Sequence, residues 1–153
     1  MAGFPRHSGS TGSKPMSVAD TFIDTSVLLY LLSADEVKAD QAEELLANGA
    51  VVGVQVLNEF AAVATRKLGL TLPEVREILA TIRGVVRVEP LTEETHDRAL
   101  RIAERYRFSV FDSLIIAAAL LSGCRRLCCE DLQHNQVIER QLRITNPFRA
   151  TTT

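Results

Sequence analysis

Short apolar runs alternate with amphipathic stretches along this chain, and the alternation itself predicts a fold. Beta-branched and aromatic residues from Ala19 to Ile23 predict a buried strand, and Asp24 then heads the apolar run Ser26 to Leu32, a strand followed directly by a helix. From Asp35 to Asn48 the apolar positions Val37, Ala42, Leu45 and Leu46 share one helical face, and Asn48-Gly49 supplies the stop. A strand over Ala50 to Val54 follows, then a helix from about Gln55 to Leu68 ending at Gly69. Thr71, Pro73 and Glu74 open the next helix with a cap residue, an early proline and an early acid, and it runs to about Arg83.

The same alternation fills the second half. Val85, Val86 and Val88 predict a strand, and Thr92 caps an amphipathic helix from Glu93 to Arg107. Ser109 to Leu121 reads as a nearly all-apolar helix, Arg126 to Cys129 as a short strand, and Leu142 to Thr145 as a last strand. Strand and helix units of this length favour right-handed crossovers and a parallel sheet covered on both faces. The expected class is α/β, a three-layer α/β/α sandwich around a mainly parallel sheet of four to five strands.

Length and composition limit what such a domain can be. A chain of 153 residues fits one domain, here residues 18–149, able to bury roughly two thirds of its unfolded surface. Residues 1–17 are rich in Gly, Ser and Pro without an apolar core, so they predict a disordered segment of the kind an expression vector leaves, and 150–153 a flexible tail. No apolar run approaches the ~18 residues that span a bilayer, so no membrane partner and a cytoplasmic location are expected. A net charge of −2 argues against a broad basic surface, so a nucleic-acid partner would be contacted locally. Cys124, Cys128 and Cys129 are odd in number and lack the spacing of a zinc site, which predicts reduced thiols.

Against this background four acids stand out, each at the head or end of an apolar segment: Asp24, Glu59 in VLNEF, Asp112 in FSVFDSLIIAAAL, and Asp131 after the short apolar strand Arg126 to Cys129. Asp24 reads equally well as an N-cap, Asp112 as the far half of a capping box opened by Ser109, and Asp131 as a turn residue beside a solvated Glu130. Glu59 is harder to explain structurally. Val56 and Val63 place its carboxylate beside an apolar helical face, where an unpaired charge is costly.

Four acids at strand ends and helix starts on one edge of a sheet form a cluster, and crowded carboxylates repel unless a cation neutralises them. Hard oxygen donors without His or Cys point to Mg²⁺ or Mn²⁺. Such an ion generates hydroxide from water and stabilises an in-line phosphoryl displacement, making phosphodiester hydrolysis the leading reaction.

Other candidates carry less. His96 shares a helical face with Ala99, Leu100 and Ala103 and reads as a core or boundary histidine. Arg98 and Arg101 follow Glu94 and Asp97 by four residues and read as ion-paired on a solvated face. His134 and Asn135 read as loop residues, and neither a phosphate loop nor a nucleophile elbow occurs.

The segments FIDTSVLLYLL, VLNEF, FSVFDSLIIAAAL and EDLQHN, in that order, resemble those of PIN-domain ribonucleases, especially VapC-like toxins of type II toxin–antitoxin systems. The resemblance covers nearly everything from Thr21 to Phe148. It implies a metal-dependent endoribonuclease acting on single-stranded RNA, commonly a homodimer inhibited by a cognate antitoxin. Carried over, Asp24 and Asp112 would be the main metal ligands, Asp131 the fourth acid and a further ligand, and Glu59 the residue that completes the site and positions water. Ser26 fits the small polar residue that follows the first acid. Cys129 departs from the Thr or Ser that the family often carries before the final acidic pair, which puts a supporting hydrogen bond in doubt.

Two other functions fit the same elements. A catalytically silent module of this fold would act only through protein partners and bind no divalent ion. A Mg²⁺-dependent phosphatase or receiver domain also gathers acids at a sheet edge, but Asp24-Thr25-Ser26 lacks its D-x-D pattern.

Overall fold

A computed structural model describes residues 20–149, so the expected disordered opening at 1–17 and the tail at 150–153 lie outside the described residues. The elements follow in the order β1 (Thr21–Ile23), α1 (Thr25–Leu28) continued by a 3₁₀ turn (Leu29–Leu32), α2 (Glu36–Ala47), β2 (Val51–Gly53), α3 (Val54–Arg66), α4 (Leu72–Arg83), β3 (Arg87–Glu89), α5 (Glu93–Tyr106), α6 (Val110–Leu121), β4 (Arg126–Cys128), β5 (Val137–Ile138) and β6 (Leu142–Thr145).

The strands form one sheet in the order β3-β2-β1-β4-β6-β5. Five are parallel, and β5 pairs antiparallel with β6 at the edge, so the sheet has one strand more than the expected four to five. The extra strand has two residues, too few to produce a detectable alternation in the sequence.

Successive strand residues point to opposite faces, yet every residue of β1 and β2 is buried, so helices must cover both faces. The α6 helix supplies Ala117, Ala118 and Ala119 as small buried side chains, which let it approach the sheet closely. Gly53 has the same function at the end of β2. A Cβ there would lie 3.1 Å from the Phe22 ring and 3.5 Å from Ala118.

Sequence signals account for the helix boundaries. Thr71 and Glu74 form a reciprocal capping box, the Thr71 hydroxyl accepting from Glu74 N at 3.2 Å and Glu74 accepting from Thr71 N at 2.8 Å. The chain leaves β1 toward β2 on one side, and β4 docks on the other side of β1. That reversal opens a crevice beyond the carboxyl ends of β1 and β4, the place where α/β sheets bind ligands.

Two expectations about polar residues are corrected. His96 is exposed, because α5 buries Thr95, Ala99 and Ile102, a face rotated by one residue from the one through Leu100. Arg98 pairs with Glu139 near β5 at 2.7 Å rather than with Glu94 along its own helix. The three cysteines are buried and, among the described residues, none is in a disulfide. Among the described residues no helix is long and apolar enough to cross a membrane.

Candidate functional site

Asp24 occupies the first position beyond β1, where its N–H still donates to the Cys128 carbonyl of β4 at 3.0 Å. Its carboxylate caps α1, so the structural reading of this residue is correct as far as it goes. The cap bond is only part of its environment. Oδ2 accepts from Ser26 N at 3.1 Å, Ser26 Oγ at 2.6 Å and the Cys129 thiol at 3.3 Å, in a pocket that leaves the residue 7% exposed. Burial raises the Asp24 pKa above the ordinary carboxyl value, and bonds from Ser26 and Cys129 work against that rise without cancelling it. Cys129 is the complement, its thiol pushed up to about 12 by burial and then by the Asp24 charge, so it stays protonated and donates. A sulfur donor thus takes the place of the expected hydroxyl.

Ser26 also binds the far side of the site together. Its Oγ accepts from Glu130 N at 3.1 Å, which ties the loop after β4 to the start of α1. Glu130 is not the solvated neighbour that the sequence predicts. It accepts from Tyr30 Oη at 2.8 Å and pairs with Lys38 Nζ at 3.0 Å, while Lys38 lies over the rings of Tyr30 and Phe148. This clamp fixes the residue immediately before Asp131.

Glu59 projects from α3 and is half-buried. The partner its position demands is found twice: Thr25 Oγ1 donates to Oε1 at 2.9 Å, and Gln55, one helical turn earlier, donates to Oε2 at 3.1 Å. Asp112 sits in the first turn of α6. Ser109 Oγ accepts from Asp112 N at 3.1 Å, but the reciprocal side-chain bond of a capping box is missing. Among the described residues the Asp112 and Asp131 carboxylates have no hydrogen-bonding or ion-pair partner, and Asp131 is exposed.

All four acids line one cleft of about 270 Å³, together with Thr25, Ser26, Leu29, Ala62, Val63 and Arg66. A second groove of about 560 Å³, lined by Tyr30, Ser33, Lys67, Leu68 and Glu130 among others, shares Ser26, Leu29, Val63 and Asp131 with it, so the two are continuous. Arg66 and Lys67 supply positive charge along this path. Sequence reasoning passed over Arg66, although Glu59, Val63 and Arg66 recur at helical spacing on one face of α3. His134 stays outside the chemistry, its Nδ1 accepting from Asn146 N at 3.0 Å.

Among the described residues no three His, Cys, Asp or Glu side chains converge closely enough to hold one metal ion among themselves. The donor chemistry still fits a hard cation, because Mg²⁺ keeps several waters and is ordinarily held by only one or two carboxylates. Asp112 and Asp131 have free oxygens for that purpose, and Asp24 faces the same cleft.

Comparison with known proteins bears on the fold that carries this cleft. The VapC20 toxin of Mycobacterium tuberculosis, described as cleaving the sarcin-ricin loop, is 25% identical with a TM-score of 0.58 over 71% of this chain and 87% of that one. A toxin–antitoxin complex from Klebsiella pneumoniae is 14% identical with a TM-score of 0.64, over 86% of this chain and 100% of its own. VapBC2 of Rickettsia felis, bound to a DNA fragment from its promoter, is 14% identical with a TM-score of 0.59, over 81% and 96%. Likeness at 14% identity speaks to the fold alone. No protein of curated function matches the chain. The PIN domain profile matches residues 21–139, which span both halves of the sheet and all four acids. The chain belongs to the PIN domain family.

Proposed function

We propose that this protein is a metal-dependent endoribonuclease that hydrolyses phosphodiester bonds in single-stranded RNA, and that it is the toxin of a toxin–antitoxin pair. VapC-type PIN proteins are ribonucleases, and PIN nucleases generally use divalent metal ions. The observation that carries the reading is the meeting of Asp24, Glu59, Asp112 and Asp131, from four distant segments, in one cleft at the β1/β4 crevice. Two of those carboxylates having no protein partner supports it further.

In this reading Asp24, Asp112 and Asp131 would hold a hydrated Mg²⁺ between them, one or two directly and the rest through its waters, with Mn²⁺ able to substitute, and the ion would supply Lewis acidity and an activated water when bound. Glu59, its two oxygens fixed by Thr25 and Gln55, orients the attacking water and accepts its proton. Arg66 at the cleft rim faces the phosphate, and the Ser26 and Cys129 bonds keep Asp24 from rotating out of the site. The proposed partner is an antitoxin, in keeping with the toxin–antitoxin complex among its structural neighbours; a second copy of the chain is proposed as a further partner, and the cytoplasm as the location.

RNA cleavage with sequencing of the product ends tests substrate and reaction together. Asp24→Asn or Asp112→Asn is expected to lose about 100-fold or more in rate, in line with removing one electrostatic stabiliser. EDTA abolishes cleavage of wild type and Mn²⁺ restores it. Wild-type rates in either variant would sink the mechanism. The open spacing of the acids favours one second reading, a catalytically silent interaction module, which predicts no Mg²⁺ or Mn²⁺ binding by calorimetry.

A further inference from the structure

At the opposite edge of the sheet, where the parallel strands begin, four arginines gather: Arg125 and Arg126 at the entry to β4, Arg140 before β6, and Arg143 within it. Arg126 and Arg143 are in-register neighbours on adjacent strands. The ion pairs among the described residues are Lys38–Glu130, Arg87–Glu89 and Arg98–Glu139, and none uses these four. Arg126 Nη2 donates to Thr21 Oγ1 at 3.0 Å, and Arg143 Nη1 donates to the Asn135 carbonyl at 3.3 Å. The guanidinium groups of Arg125 and Arg140 have no partner among the described residues, and both line one cleft of about 470 Å³ with Gly123, Cys124 and Gln141.

Arg140 is presented there by a strained turn. Glu139 and Arg140 both adopt left-handed backbone, with φ of 51° and 59°. Hairpins that need two such residues normally use Asn-Gly, and each non-glycine residue there costs about 1–2 kcal/mol. The turn is braced on the side away from Arg140, Glu139 N donating to Tyr106 Oη at 2.8 Å and Arg98 pairing with the Glu139 carboxylate at 2.7 Å. Strain of this kind persists only where the surrounding structure over-determines it, and here it places Arg140 on the cleft that Arg125 also lines. The protein as a whole carries −2, so two arginines in one cleft, neither in an ion pair, favour an anion there.

We propose that Arg125 and Arg140 form a phosphate-binding pocket that grips the backbone of a single-stranded RNA at a distance from the acidic cleft. The identity of this polyanion rests on the nuclease reading above; the pocket itself does not. At about 3.3 Å per residue, β4 sets Arg125 and Cys129, at its two ends, roughly 13 Å apart, and Asp131 lies beyond Cys129. Only an RNA of several nucleotides, passing around the β5 edge, reaches both ends. The pocket therefore makes cleavage depend on substrate length.

Fluorescence anisotropy in EDTA separates binding from hydrolysis, using a labelled unstructured RNA of about 20 nucleotides and a trinucleotide. R125Q/R140Q is expected to weaken binding of the long RNA about tenfold and to lower the slope of log K against log salt by about 1.4, at about 0.7 per phosphate contact. R125K/R140K retains most of both, and with Mn²⁺ the ratio of long to short RNA cleavage falls in the glutamine variant by the same factor. Unchanged affinity and slope overturn the inference, as does a wild type that binds no RNA. Where circular dichroism shows the double variant unfolded, Asp20→Asn carries the test: Asp20 acts by its charge on Cys124 at this cleft, so its removal tightens RNA binding, and unaltered binding overturns the inference. RNA held by these arginines but never cleaved leaves this pocket standing and removes the nuclease reading. Cleavage indifferent to both arginines at every length does the reverse.

Discussion

Asp24 is a carboxylate in a place that does not favour its charge. Burial is the largest influence on it and raises its pKa, while Ser26 and Cys129 give back part of that cost through hydrogen bonds. The sign for stability follows. A folded pKa above the unfolded value means that folding prefers the protonated form, so Asp24's contribution is full below the ordinary carboxyl value of 3.8 and is lost as pH rises through the raised value. At neutral pH the metal-free protein therefore holds an unfavourable charge. Asparagine keeps an acceptor for the Ser26 N–H and never ionises. In EDTA at pH 7, Asp24→Asn is expected to melt at a higher temperature than wild type, with the difference shrinking as the pH approaches 4. Equal melting temperatures at pH 7 would mean that burial does not penalise this charge. A variant that is inactive and more stable is the signature of a residue kept for function.

At the scale of elements, α6 combines a site residue and an orphan. Ser113, fully buried beside Asp112 in sequence, has the one side-chain oxygen among the described residues that is buried without a partner. A buried unsatisfied hydroxyl costs about 1 kcal/mol or more, and alanine is also the better helix former. Ser113→Ala is expected to stabilise the protein by about 1 kcal/mol, read as a higher urea midpoint at unchanged slope; a lower midpoint would mean that the hydroxyl is bonded. Legibility in the sequence divides along the same lines. The acids could be read because each one interrupts or terminates an apolar run, and the caps at Thr71, Thr92 and Ser109 because their partners lie three residues away. The β5 strand could not be read, being two residues long and followed by Glu139-Arg140, a turn with no glycine or asparagine to announce it. The Tyr30–Lys38–Glu130 clamp was equally hidden, because its members are brought together only when the β1/β4 crevice closes. His96 was misjudged because apolar Leu100 and Ala103 follow it at helical spacing while the true inner face is one residue away.

On the whole molecule, opposite ends of the sheet carry opposite charge, and the helix pair α5 and α6 exposes several large apolar side chains. Phe111 is 62% exposed, Val110 47% and Leu100 44%, all on the packed pair α5 and α6, and Phe111 adjoins the site residue Asp112. Single exposed apolar residues need no explanation, but the adjacent pair Val110 and Phe111, at the start of α6 and next to a residue of the polar cleft, fits a surface that a partner covers. A second copy of the chain covering it would bury about 800 Å² per partner in an interface of ordinary size. Sedimentation velocity tests this arrangement. Wild type is expected to sediment as a dimer at micromolar concentration, and Phe111→Lys as a monomer with unchanged circular dichroism, since that side chain is largely outside the core. The charge placed there would have to be buried unpaired in the dimer, a cost of several kcal/mol that a standard interface cannot absorb. A lysine variant that stays dimeric would move the interface to another face, and a monomeric wild type would leave each acidic cleft to act alone.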